Sequence, residues 1–339
     1  MSERVTWLLP VKNGMPFLPE TLASIEAQTY RDWEILAWDN GSTDRTVEEL
    51  QKWIPSRLPG RVITGQPLSL ANSLAEMVKQ CKTEFCARID ADDVNVPERL
   101  STQVAFLLAH SEVAVVGSQI NRLDKHGVNQ GRDIPLPVYH DDIVLFMLAS
   151  CGLSHPTVLF RRSAVLQVGN YRESVGHAED YDLWLRVAVH HRLANFPMPL
   201  LYYRVHDKSC TQIAYSQKES KDRLANEWNE CVCSIAPRLY GCSESEARLL
   251  RTRRHPCAIR LLYQITQHLQ HSQNRKLLDI LRSEFFFITA RRLVPLKDVI
   301  SLIALVALQP HRSAVEFIAK VFGSEQGGSR YLNLRVLDF

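Results

Sequence analysis

Residues 85–93 read Phe-Cys-Ala-Arg-Ile-Asp-Ala-Asp-Asp, an apolar run that ends in three carboxylates, Asp90, Asp92 and Asp93. The apolar part predicts a buried strand. Because side chains alternate along an extended chain, Asp90 and Asp92 point to the same side, with the small Ala91 between them. Two hard oxygen ligands placed in this way suit Mg²⁺ or Mn²⁺ carrying a diphosphate. The alternative is a solvated acidic turn before the next helix.

Strand and helix patterns alternate through the first half of the chain. The predicted strands are 5–11, 33–38, 61–65 and 85–89, and the predicted helices are 20–28, 46–53, 69–82 and 97–110. This alternation predicts an α/β fold with a mostly parallel, mixed sheet flanked by helices. Polar turns follow three of these strands, at Lys12-Asn13, Asp39–Ser42 and Asp90–Asp93. Ligands of such sheets bind beyond the carboxyl ends of the strands, so we expect the site there.

The second half changes from mixed to mostly helical. Strands are predicted at 113–123, 157–160 and 199–205, with a helix at 179–191, and a helical region follows. At 339 residues the chain has room for about two domains. We expect an α/β domain at 1–215 and a basic, mostly helical region at 216–339.

Charge is distributed unevenly between the two parts. Residues 1–207 contain 20 Lys and Arg and 25 Asp and Glu, a net −5, whereas residues 208–339 contain 20 and 12, a net +8. By charge alone the basic region fits nucleic acid, an anionic membrane surface or a solvated helical surface. The apolar stretch Val299–Leu308 is shorter than the ~18 residues of a membrane span. It fits an interfacial helix, a core helix or a homodimer contact.

The cysteines and the N-terminus bear on localisation. Eight cysteines are irregularly spaced, and the N-terminus lacks the pattern of an export signal. Free thiols in a reducing cytosol are therefore expected. We expect a cytoplasmic protein that is either free or peripheral on the inner face of the cell membrane.

Six motifs, in order, resemble those of family 2 glycosyltransferases with the GT-A fold. They are Leu-Pro-Val-Lys-Asn-Gly at 9–14, Trp-Asp-Asn-Gly-Ser-Thr-Asp-Arg-Thr at 38–46, Ala-Arg-Ile-Asp-Ala-Asp-Asp at 87–93, His-Pro-Thr at 155–157 with Phe-Arg-Arg at 160–162, Ala-Glu-Asp-Tyr-Asp-Leu-Trp at 178–184 and Tyr-Arg-Val-His at 203–206. The resemblance covers about residues 4–215. It implies a Rossmann-like GT-A domain, a nucleotide-sugar donor, a divalent metal (Mn²⁺ or Mg²⁺) and inversion at the anomeric carbon.

The resemblance also implies which residues bind the donor and the metal. The donor-binding positions are Pro10, Val11, Asn13, Asp39, Asn72, Arg88, Asp90, Ala91 and Asp92. Asp39 would accept a hydrogen bond from a base such as uracil, or else cap the turn that follows it. Asp92 would bind the metal, with Asp90 at the ribose or the metal's water shell and His206 as a further ligand. A lone histidine can equally be structural.

The acid pair Glu179 and Asp180 is implied to be catalytic, with Asp180 as the base that takes the acceptor's proton. Carboxylates also suit the positive end of a helix, which is the structural alternative. Trp184 would pack beside the acceptor sugar or in the core. His155 and Arg161 are expected near the acceptor or the diphosphate.

The predicted function is an inverting glycosyltransferase, metal-dependent and using a UDP-sugar. Its acceptor would be a hydroxyl of a saccharide or lipid-linked saccharide in surface polysaccharide biosynthesis. No nucleic-acid partner is expected. One alternative is a nucleotidyltransferase, although 10–14 is a poor match to the glycine-rich phosphate loop of that class. The other is a non-catalytic sugar-binding protein on the same scaffold.

Overall fold

The computed structural model describes residues 3–133, 135–147, 150–207, 209, 218–240 and 243–251. The strands are β1 (Val5–Val11), β2 (Trp33–Asp39), β3 (Gly60–Thr64), β4 (Phe85–Arg88), β5 (Val94–Asn95), β6 (Val113–Leu123), β7 (Asn129–Arg132), β8 (Leu159–Arg161) and β9 (Arg192–Arg204). The helices are α1 (Leu18–Glu26), α2 (Thr46–Trp53), α3 (Leu70–Gln80), α4 (Arg99–Ala109), α5 (His140–Phe146), α6 (Arg162–Gln167), α7 (Glu179–Ala188), α8 (Lys218–Leu239) and α9 (Glu244–Arg251). The predicted stretch Val299–Leu308 lies outside the described residues.

The strands form one mixed sheet in the order β3-β2-β1-β4-β8-β6-β9-β5, with β7 paired to β6. The predicted α/β fold is therefore confirmed. Strand β1 runs parallel to both β2 and β4, and its last residue, Val11, lies opposite Asp39. Because Leu8 lies opposite Arg88, the acidic run after β4 emerges at the same edge as the polar turns after β1 and β2.

Two hydrophobic cores lie on the two faces of the sheet. All seven residues of β1 are buried, as expected for a strand covered on both sides. Trp7 and Leu9 pack with α1, α2 and α4, whereas Leu8 packs on the other face with α3, α7 and α8. Burial of each large apolar side chain contributes about 1.5–3 kcal/mol. The alternation along β1 thus fixes which helices cover each face.

Helix α8 belongs to the same core as α7. Val232 and Ala236 are fully buried there, and the ring of Trp228 lies 4.9 Å from that of Tyr181. The Tyr240 hydroxyl donates a hydrogen bond to the Val144 carbonyl in α5, at 2.8 Å. The first part of the predicted C-terminal region therefore packs directly on α7 and α5, while the division into two domains stays a prediction.

Three details of the predicted elements were wrong. Strand β9 begins at Arg192 rather than at residue 199, because its pairing with β6 shifts register near Ser118 and so accommodates the proline-containing stretch 196–199. The segment predicted as a strand from 157 begins instead as a 3₁₀ turn at His155–Thr157. The short helices α5 and α6 were not predicted. Within the described ranges, no helix is both long and apolar enough to cross a bilayer.

Candidate active site

The turns after β1 and β2 are joined by side-chain hydrogen bonds. Asn13 adopts a left-handed backbone conformation (φ 53°), which asparagine tolerates. Its side-chain oxygen accepts a hydrogen bond from the Thr43 N–H at 2.8 Å, and its own N–H donates to Ser42 Oγ at 2.8 Å. The Gly14 N–H donates to Thr46 Oγ1 at 2.8 Å. The two motifs therefore form one rigid rim at the edge of the sheet.

Asp39 is buried at the end of β2 and caps its own turn. Its carboxylate accepts hydrogen bonds from the N–H groups of Gly41 and Ser42, each at 3.2 Å. This is the capping role given above as the alternative to donor binding. A carboxylate oxygen has two lone pairs, so the cap leaves capacity for a further donor. Binding of the base by Asp39 stays a prediction.

The other predicted donor residues line the same edge. Pro10 and Val11 are buried at the end of β1. Asn72 lies in the first turn of α3 and lines a cleft of about 470 Å³ together with Leu68 and Tyr171. The side chain of Asn40 exchanges two hydrogen bonds with the backbone of Leu68, which ties this cleft to the turn after β2.

Arg88 provides a buried cation beneath the acidic turn. Its side chain is 3% exposed and forms an ion pair with Asp90. Burial is the largest single effect and would lower the pKa of Arg88. The charge of Asp90, its hydrogen bond and the smaller effects of Tyr171 and Asp93 together outweigh burial and raise the pKa, so the guanidinium stays protonated. Arg88 therefore supplies one fixed positive charge to the site.

Asp90, Asp92 and Asp93 gather carboxylate oxygens within 4.8 Å of one another, with Ala91 in the turn between them. Burial raises the pKa of both Asp92 and Asp93, and repulsion from the neighbouring carboxylates raises each further. Asp93 is fully buried, and within the described part of the chain its Oδ2 has no hydrogen-bond partner. Carboxylate oxygens are therefore concentrated in this turn, and such hard ligands suit a divalent metal of the Mg²⁺ or Mn²⁺ type.

His206 meets this cluster from the end of β9. Its Nε2 lies 2.9 Å from Asp92 Oδ2, and its ring packs 4.7 Å from the ring of Phe17. The neighbouring Arg204 is 2% exposed, and its Nε donates to the Asp92 carbonyl at 2.9 Å. The backbone N–H of Arg204 donates to Asp93 Oδ1 at 2.9 Å. The structure therefore brings together His206 and the acidic turn, as a shared metal site requires.

The acid pair stands at the first turn of α7. Asp180 is 20% exposed, and its Oδ1 accepts a hydrogen bond from the Tyr181 N–H at 2.6 Å. Burial raises the pKa of Asp180 to about 6. Glu179 is 7% exposed, and burial, followed by the charge of Asp180, raises its pKa to about 8. At neutral pH Asp180 is therefore mostly ionised and able to accept a proton, whereas Glu179 is mostly protonated.

The acid pair and the acidic turn belong to one electrostatic site. The positive charge of Arg88 lowers the pKa of Glu179 and of Asp180, against the larger effect of burial. The charge of Asp90 raises both. The positions predicted for catalysis and for the donor are thus close enough to influence one another.

His155 lies behind Asp180, with its Nδ1 4.0 Å from Asp180 Oδ2. Its Nε2 is 2.9 Å from the hydroxyl of Tyr171. Burial lowers the pKa of His155 well below its usual value, so the ring is neutral at physiological pH. Tyr171 was not predicted, because no spacing in the sequence links it to either motif.

The structure also places Trp184 and Arg161, which were expected near the acceptor. Trp184 is fully buried in the core, with its ring 6.2 Å from the Phe160 ring, as in the second of the two alternatives given for it. The expectation that Arg161 approaches the acceptor or diphosphate was wrong. Arg161 lies opposite Phe85, at the start of β4 and away from the acidic turn, and its guanidinium donates to the Val113 carbonyl at 3.0 Å.

A mixed sheet flanked by helices, with an acidic turn beyond β4, is a GT-A-like fold. The crystal structure of S. aureus TarS 1-349 in complex with UDP-GlcNAc has this fold, with a TM-score of 0.54, 19% identity and coverage of 78% of this chain and 81% of TarS. Residues 6–169 match the family described as glycosyl transferase family 2.

Curated relatives agree. An uncharacterized glycosyltransferase of Haemophilus influenzae is 31% identical over 207 residues, 60% of this chain and 76% of that protein. The amylovoran biosynthesis glycosyltransferase AmsE of Erwinia amylovora is 29% identical over 189 residues, 55% of this chain and 70% of that protein. The chain belongs to glycosyltransferase family 2.

Proposed function

We propose that this glycosyltransferase transfers a sugar, with inversion, from a UDP-sugar to a hydroxyl of a saccharide or lipid-linked saccharide during surface polysaccharide biosynthesis. The observation that carries the proposal is an ionisable base, Asp180, in the same electrostatic site as the acidic turn at Asp90–Asp93. The complex of TarS with UDP-GlcNAc and the role of AmsE in amylovoran biosynthesis support the donor and the pathway class.

The donor nucleotide would bind along the rim formed by the turns after β1 and β2. Asp39 has acceptor capacity for the base, and Pro10, Val11 and Asn13 form the adjoining wall. Arg88, at the end of β4, would supply positive charge near the diphosphate. Asn72 would contact the nucleotide from the first turn of α3.

Asp92 and His206 would hold a divalent metal, with Asp90 at its water shell or at the ribose. A metal bound there would stabilise the negative charge that develops on the departing nucleoside diphosphate. Arg204 holds the two ligands close together, because its side chain donates to the Asp92 carbonyl and it lies two residues before His206.

Asp180 would act on the acceptor. As the acceptor oxygen bonds to the anomeric carbon, its proton passes to the Asp180 carboxylate. The bond between the anomeric carbon and the diphosphate breaks on the opposite face, and its electron pair leaves with the nucleoside diphosphate. Attack opposite the leaving group inverts the anomeric configuration. The neutral His155 packs against Asp180 without adding a charge that would lower its basicity.

For localisation we propose the cytoplasmic face of a membrane, where a lipid-linked acceptor would lie. The described cysteines 81, 86, 151, 231 and 233 are free thiols, which suits a reducing compartment. The net +8 of residues 208–339 would attract anionic lipid. The charges proposed for this contact are Arg251, Arg253, Arg254, Arg291, Arg292 and Lys297, whose side chains lie outside the described part of the chain. A homodimer contact through Val299–Leu308 is the competing proposal.

The proposed function is tested by incubating the purified chain with a panel of radiolabelled UDP- and GDP-sugars, with Mn²⁺ or with chelator, without an acceptor. Slow, metal-dependent release of UDP from one donor is the expected result. Pyrophosphate release from a nucleoside triphosphate would instead identify a nucleotidyltransferase. Failure to turn over any of these substrates would favour a sugar-binding protein without catalysis.

A further inference from the structure

The segment that leads into the acid pair has an unusual backbone. Residues Glu173–Ala178 form a 3₁₀ stretch broken at Gly176, which has φ 62° and ψ −124°. Residues with a Cβ essentially never adopt this conformation. A Cβ at Gly176 would also lie 2.2 Å from Glu227 Oε1. The glycine therefore permits a close approach between this segment and Glu227 of α8.

Glu227 is hydrogen-bonded to the same segment. Its Oε2 accepts a hydrogen bond from the His177 N–H at 3.0 Å, three residues before Asp180. Hydrogen bonds from backbone N–H groups to a carboxylate are stronger than neutral ones. Helix α8 holds Glu227 firmly, because Trp228 beside it packs on Tyr181 and Val232 is fully buried.

The other end of the segment is also fixed. Arg172, just before it, pairs with the buried carboxylate of Asp182 in α7. Arg186 donates to the same carboxylate at 2.6 Å. The segment is thus held at Arg172 by α7 and at His177 by α8. Both attachments, like the acid pair, come from residues beyond the stretch 6–169 that matches the family.

We propose that Glu227 is a positioning residue that fixes the backbone delivering Asp180 to the acceptor. The inference rests on the proposed function, because it assigns Glu227 a role through Asp180. A misplacement of about 1 Å at a reacting group can cost about 100-fold in rate. Loss of the Glu227 contact therefore lowers kcat and leaves KM for the donor nearly unchanged, because the donor rim lies on other elements.

The test compares Glu227→Ala and Glu227→Gln with the control Glu230→Ala. Glu230 lies three residues further along α8 and pairs with Arg248 on the surface, so its loss leaves the segment intact. Glutamine keeps an acceptor oxygen and should restore part of the effect. Thermal unfolding checks that each variant folds.

Two readouts are measured: hydrogen exchange of peptides covering 173–182, and UDP release from the UDP-sugar that the wild type turns over in Mn²⁺. For Glu227→Ala we expect faster exchange and a kcat about 10- to 100-fold lower at an unchanged donor KM. The glutamine variant should be intermediate, and Glu230→Ala should match the wild type. Unchanged exchange, or a wild-type kcat in Glu227→Ala, would overturn this inference alone. A wild type that releases no UDP from any donor would overturn the proposed function as well.

Discussion

Replacement of Asp180 by asparagine removes the proposed base while keeping its size and its hydrogen bond from Tyr181. Because a positioned base contributes at least about 100-fold, kcat should fall by that factor or more. Donor affinity should stay near the wild-type value, since Asp180 faces the acceptor in this account. The same change also removes a carboxylate whose pKa is about 6.

The ionised fraction of Asp180 determines how strongly the wild-type rate should depend on pH. With a pKa of about 6, Asp180 is about 90% ionised at pH 7 and about 10% ionised at pH 5. The base must be ionised to accept a proton, so the wild-type rate should fall about tenfold from pH 7 to pH 5. The residual activity of Asp180→Asn should lack this fall.

The assay is UDP release from the accepted donor in Mn²⁺ between pH 5 and pH 8, for the wild type, Asp180→Asn and Glu179→Gln. Asp124→Asn is the matched control, because the Asp124 carboxylate caps the β6–β7 hairpin at the surface and accepts from the His126 N–H at 2.8 Å. A near-wild-type rate in Asp180→Asn together with an inactive Glu179→Gln would show that the wrong carboxylate was chosen.

Burial and charge also predict the outcomes of three further experiments. Glu179→Gln should raise the free energy of unfolding by up to about 4 kcal/mol at pH 8 and by little at pH 4, as measured by chemical denaturation at the two pH values. The reason is that the folded-state pKa of Glu179 is raised to about 8, so this carboxyl destabilises the fold as the pH rises above its pKa in the unfolded chain. Arg99→Met should lower the free energy of unfolding by about 3 kcal/mol or more, because the buried guanidinium donates hydrogen bonds to the Asn95 side chain and the Arg88 carbonyl. An unchanged denaturation midpoint would contradict this. The full chain should sediment with anionic vesicles, and less of it should do so in added salt, because each basic residue near the membrane surface contributes roughly 1 kcal/mol to binding. Absence of binding at every salt concentration would leave a solvated surface or a homodimer contact as the role of the basic region.

The edge of the sheet that carries the site could be predicted from the sequence. Apolar runs that end abruptly in polar residues locate the carboxyl ends of β1, β2 and β4, and the parallel pairing places those ends together. The acidic turn and His206 were predicted by motif, and the structure places Asp92 beside His206. These features depend on short-range patterns, which a sequence displays directly.

The remainder depends on contacts between distant segments. Nothing in the spacing of Tyr171 or Glu227 indicates that one reaches His155 and the other the His177 amide. Arg161 belongs to a family motif, yet its side chain donates to the carbonyls of Val113 in β6 and Leu107 in α4. Because β8 runs antiparallel to β4, Arg161 lies opposite Phe85 at the start of β4, away from the acidic turn. Helix α6 has six residues, which is too short for a clear helical period.

Calorimetric titration with UDP tests most directly whether Asp92 supports metal-dependent binding of the nucleoside diphosphate. UDP is titrated into the wild type, Asp92→Asn and the control Asp124→Asn, each in Mn²⁺ and each in chelator. We expect the wild type and the control to bind UDP in Mn²⁺, with marked weakening in chelator and in Asp92→Asn, while all three proteins unfold at similar temperatures. Equal affinity for UDP in Asp92→Asn and the wild type, or affinity unaffected by chelator, would contradict metal-dependent binding through Asp92.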